Sequence, residues 1–131
     1  MTMEQKDNFI IPKDIDEECI NLVLQLNKLE GIETTESCCG HYKEKYMIFF
    51  QCNNFITLGK LYRCVDRNYS DGNWKIECCC SDNIPTHGFL LISKNVFTNK
   101  EEMETSINEL ISNILYWNQP KFNNYFNGTK R

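Results

Sequence analysis

Ile15, Cys19, Leu22, Val23, Leu26 and Leu29 recur at helical spacing and stop at Gly31. A first helix is therefore expected over residues 14–30, opened by Asp14 with Glu17 as a capping box and closed by the glycine. Ile32 to Ser37 is rich in threonine and predicts a short strand, and Tyr46 to Cys52 predicts a central strand apolar on both faces. A loop over residues 39–45 joins the two. Asn54 is placed to cap a second helix with Phe55, Leu58, Leu61, Tyr62 and Val65 on one side and Arg63 and Arg67 on another. After a turn at residues 70–73, Trp74, Ile76, Cys78 and Cys80 alternate with Lys75, Glu77 and Cys79, which predicts a strand. Residues 83–88 read as a bend before a fourth strand, Phe89 to Ser93, that completes a hairpin. Thr98 with Glu101 forms a second capping box before Met103, Ile107, Leu110, Ile111, Ile114 and Trp117, a long helix ending ahead of Pro120.

The resulting order, α-β-β-α-β-β-α, predicts an α+β fold: one domain over residues 1–118, with helices covering a four-stranded, mostly antiparallel sheet. Residues 119–131 form a polar and aromatic tail holding Phe122, Tyr125 and Phe126.

Composition narrows the function classes. The 131 residues are 41% hydrophobic and 24% charged, enough to bury a core, and no apolar run approaches the roughly 20 residues of a membrane helix. The N-terminus is polar without an apolar segment behind it, so a cytoplasmic location is expected. Eight cysteines then read as reduced thiols, the more so because adjacent cysteines in a strand point to opposite faces. Net charge is −4, from 14 basic and 18 acidic residues. That balance argues against extended nucleic acid as a partner, though not against a local basic pocket.

Candidate chemistry concentrates at Thr34-Thr35-Glu36-Ser37-Cys38-Cys39-Gly40-His41-Tyr42, where a strand enters a loop. Gly40 permits a sharp turn in which backbone N–H groups converge as an anion-binding nest. Thr35, Ser37, Cys38, Cys39, Gly40, His41 and Tyr42 are accordingly expected to bind a small anionic or nucleotide-like ligand, with Arg63, Arg67 and Lys75 as phosphate contacts and Lys94 as a further cation to test. The competing bland reading gives Thr35 and Ser37 only turn hydrogen bonds, and makes each cation part of a solvated face. Zinc held by Cys38, Cys39 and His41 with Cys78 or Cys80 lacks the paired knuckle spacing of a zinc ribbon. A Cys–His nucleophile at the same corner lacks an identifiable third group. His87 reads as a bystander. Neither a resident metal, a cofactor nor a catalytic residue is assigned from the sequence, and the long last helix and aromatic tail leave room for a homo-oligomer.

The run from Gly31 to His41, with the apolar strand after it and the later Trp74-Lys75-Ile76 strand, resembles small phage and bacterial proteins that carry a Ser-Cys-Cys-Gly-His signature, over roughly residues 12–95. The resemblance implies a small binding protein that sequesters a host signalling nucleotide, an anti-defence role. More remotely, the corner is similar to the wybutosine-synthesising methyltransferase family, which uses S-adenosylmethionine on a modified tRNA guanine. That family's Ser-Cys-Ser-Gly-Arg maps onto Ser37, Cys38, Cys39, Gly40 and His41, with histidine replacing arginine; it implies, as an alternative, an RNA-modifying methyltransferase-like enzyme. A third reading is an inhibitor of a host protein acting through the Phe122–Phe126 tail.

Overall fold

Four strands pair into one antiparallel sheet in the order β3-β4-β6-β5, and three helices complete the α+β domain. The computed structural model describes residues 3–6, 9–12, 15–66, 72–81 and 84–123. Its elements are β1 (Met3–Lys6), β2 (Phe9–Pro12), α1 (Glu17–Asn27), β3 (Ile32–Cys38), β4 (Met47–Cys52), α2 (Phe55–Val65), β5 (Trp74–Ser81), β6 (Ile84–Ser93) and α3 (Lys100–Trp117). The expected α-β-β-α-β-β-α order is present from α1 onward. An additional small antiparallel sheet, β1 with β2, precedes it.

β4 is central, as its apolar run predicts. Its Ile48, Phe50 and Cys52 are buried under the helices, and its neighbours register as Cys38 opposite Met47 and Met47 opposite Ile92. Just before the strand, Tyr46 is fully buried, its ring edge-on to Trp74 at 5.3 Å. Its hydroxyl donates to the Glu18 carbonyl at 2.9 Å, so one side chain satisfies its only polar atom while joining sheet to α1. At the other end of α1, Asn27 clamps Thr34: the amide accepts from the Thr34 N–H and donates to its hydroxyl, both at 2.9 Å. The helix therefore runs back along β3 and returns its first residues to the strand's far end.

Several boundaries differ from expectation. Asp14 lies outside the described residues, and the N-cap of α1 is Asp16, whose side chain makes no cap hydrogen bond because it is engaged elsewhere. α3 is capped by Asn99, which accepts from Glu102 N–H at 2.8 Å, while Glu102 reaches back to the Thr98 N–H. The box is thus one residue later than Thr98 and Glu101 suggest. β6 begins at Ile84 and not at Phe89, because Ile84 already pairs with Ser81 of β5. Pro85 is tolerated there: β4 reaches only to Gly88, so this part of β6 has a partner on one side.

On α2 the buried stripe is Thr57, Lys60, Leu61 and Cys64, whereas Phe55 is 87% exposed and Tyr62 42% exposed. α2 packs against α3, and the stripe it buries is rotated away from the rings of Phe55 and Tyr62. Lys60 donates to Asn123 just beyond the last 3-10 turn, and burial holds its ammonium below the usual lysine value. Phe122 packs on Trp117, so the start of the tail lies against the domain.

Candidate functional site

The corner after β3 is built from three consecutive left-handed residues. Gly40 has φ +82°, His41 φ 53° and Tyr42 φ 63°. For Gly40 the conformation is free, and a Cβ there would sit 2.9 Å from the Lys45 carbonyl oxygen. For His41 and Tyr42 it is strained, since L side chains seldom adopt it. The turn is closed by the Gly40 carbonyl, which accepts from Lys43 N–H at 2.9 Å and Glu44 N–H at 3.0 Å.

The N–H groups of this turn are aimed inward. Cys39 N–H donates to an Asp16 carboxylate oxygen at 3.0 Å, and Gly40 N–H points at the Cys38 sulfur at 3.4 Å. The nest expected to take an external anion therefore already faces the chain's own carboxylate and the Cys38 sulfur. Thr35 makes a cross-strand hydrogen bond in place of the turn hydrogen bond of the bland reading. Thr35 sits at a β-bulge between Thr34 and Glu36 and donates to the Phe49 carbonyl at 3.3 Å; Ser37 interacts with the buried Cys19 thiol. Tyr42 is exposed at the loop tip.

A group that the sequence did not signal completes the corner. Asp16, at the start of α1, lies 3.6 Å from His41 Nε2, and His41 Nδ1 lies 3.5 Å from Cys39 Sγ. The third orienting group for a Cys–His pair is thus present, but the thiol is unsuited to nucleophilic attack. Cys39 is 2% exposed, and burial pushes its thiol up to about 11, so it stays protonated at neutral pH. Asp16 escaped sequence reading because it belongs to another element 23 residues away.

The expected cations assemble elsewhere. Arg63, Lys75 and Lys94 line a cleft of about 380 Å³ between the end of α2 and the start of β5, with Tyr62, Trp74 and Asp66. Arg67 lies outside the described residues. Through the ladder, Cys38 is opposite Met47, Met47 opposite Ile92 and Ile92 opposite Lys75. Corner and cleft therefore share one end of the sheet but occupy opposite edge strands. Trp74 gives its indole N–H to the Ser106 hydroxyl at 3.0 Å and is core, as its alternation suggests. Lys75 pairs with Glu77 at 2.8 Å, both half-exposed. Among the described residues the zinc set does not include Cys78, which lies on the far edge strand β5, opposite Phe89 of β6. The side chains of Cys80 and His87 lie outside those described. All cysteines among the described residues are free thiols.

No protein family, curated protein or solved structure matches the chain. Among the described residues, no helix is long and apolar enough to cross a membrane.

Proposed function

We propose that the protein is a small non-catalytic binding protein for a nucleotide-like or other compact anionic ligand, held in the cleft between α2 and β5 and not in the nest at residues 37–42. The observation that supports this reading is the convergence of Arg63, Lys75 and Lys94, drawn from three separate stretches of chain, on one cleft with Tyr62. Its volume of about 380 Å³ falls within the roughly 300–1,000 Å³ of small-molecule sites. Arginine and lysine offer charge-assisted hydrogen bonds to phosphate oxygens, and an exposed tyrosine ring offers a face for a base. Asp66 on the wall suits sugar hydroxyls and base N–H groups, and it disfavours ligands that are phosphate alone. The Lys75–Glu77 pair is solvent-facing and cheap to exchange for a phosphate.

The test is a thermal-shift and calorimetric panel of linear, cyclic and ADP-ribose-derived nucleotides on the full chain. A ligand that binds only the folded state raises its melting temperature, by an amount that grows with concentration over Kd. The double variant Lys75→Glu/Lys94→Glu should lose the shift. No shift with any nucleotide, or a shift unchanged in the double variant, overturns the reading.

A further inference from the structure

From the geometry of the corner we infer that Asp16, Cys38 and His41 form a surface site for one zinc-class divalent cation, with a fourth coordination position open to solvent or a ligand. One donor atom from each residue lies within 4.8 Å of the other two. Donors in a tetrahedral zinc shell, at metal–ligand distances of about 2.0–2.3 Å, are about 3.3–3.8 Å apart. Coordination therefore requires the three donors to approach one another further. The donor set of thiolate, imidazole and carboxylate selects the ion: sulfur disfavours magnesium and calcium, and zinc accepts all three types.

Each donor is already held from behind. Gly40 N–H is directed at the Cys38 sulfur at 3.4 Å. Cys39 N–H fixes one oxygen of Asp16 at 3.0 Å. Cys39 Sγ meets His41 Nδ1, which leaves Nε2 turned toward Asp16. Metal-ligating side chains are characteristically positioned by such outer partners. His41 adopts the left-handed conformation with its ring 66% exposed, and this conformation sets the ring over the Asp16 carboxylate. That exposure also provides the entry path for the ion.

None of the three residues lines the cleft, so this site and the anion reading fail separately. The full chain, stripped with a chelator, is titrated with cobalt(II) and then zinc. One equivalent of cobalt should bind with a sulfur-to-cobalt charge-transfer band in the near ultraviolet, zinc should displace it, and zinc should raise the melting temperature. Cys38→Ser should remove the band, and His41→Gln should weaken binding by at least about 100-fold. Asp16→Asn should weaken it while its amide oxygen still accepts the Cys39 N–H. Melting of each variant in chelator checks that it is folded. Cys79→Ser, on the opposite edge strand, should leave the titration unchanged. Substoichiometric cobalt binding overturns the site. So does a cobalt spectrum that survives Cys38→Ser and His41→Gln, or one lost in Cys79→Ser alone.

Discussion

The two edges of the sheet solve opposite problems with the same end of the fold. At the β3 edge the corner is self-satisfied: two successive N–H groups are turned onto Asp16 and the Cys38 sulfur, and the backbone is held in a rare conformation. At the β5 edge the cleft is lined by the long side chains of Arg63 on α2, Lys75 on β5 and Lys94 just after β6. The corner offers soft donors and a carboxylate and suits a cation. The cleft offers cations and suits an anion. A dense motif in sequence therefore did not mark the place where the basic residues converge.

The comparison predicts that substitutions in the backbone turn of the corner act through stability and those at the cleft through binding. Gly40→Val carries the largest expected effect, because its Cβ would meet the Lys45 carbonyl at 2.9 Å with φ +82°. Strain of this kind costs about 1–3 kcal/mol before the collision is counted, so a loss of at least about 3 kcal/mol is expected from urea melts. A loss under about 1 kcal/mol would mean that the turn relaxes and that its geometry is not fixed. Next in size is Tyr46→Phe, which leaves the Glu18 carbonyl without its 2.9 Å donor while keeping the ring against Trp74. The cost should be about 1–3 kcal/mol, with nucleotide binding at the cleft unchanged in the folded protein.

Most of the fold was legible because it rests on local periodicity. The apolar run of β4, the Asn54 cap and the long apolar repeat of α3 each place an element from neighbouring residues alone. What periodicity missed depends on partners far along the chain. α2 packs against α3, and helical periodicity alone placed Phe55 and Tyr62 on one side with Leu58, Leu61 and Val65, whereas both rings are exposed. The site was half legible for the same reason. Residues 37–42 are contiguous and could be singled out, but Asp16 enters only because the Asn27–Thr34 clamp returns α1 along β3. Arg63, Lys75 and Lys94 could be named one by one, yet only the tertiary fold brings them to one cleft.

A second glycine sharpens the contrast with Gly40. Gly59 lies in the middle of α2 and lines the cleft, and it is not among the positive-φ glycines. Gly59→Ala should therefore stabilise the helix by about 0.5–1 kcal/mol. The added methyl narrows the cleft, so the same variant should bind a nucleotide more weakly. A stabilised protein with unaltered affinity would move the ligand away from this wall.

The smallest expected stability change falls on Lys75. Its ion pair with Glu77 is half-exposed on both sides, and such pairs contribute about 0–1 kcal/mol, less at high salt. Lys75→Gln should shift the melt by no more than about 0.5 kcal/mol while reducing affinity for a phosphorylated ligand measurably by calorimetry. The wild-type affinity should also fall as salt is raised, and the variant's should fall less steeply, because one fewer cation faces the phosphate. If Lys75→Gln changed stability as much as Tyr46→Phe and left affinity intact, its charge would be part of the scaffold. The division between a rigid corner and a binding cleft would then not hold.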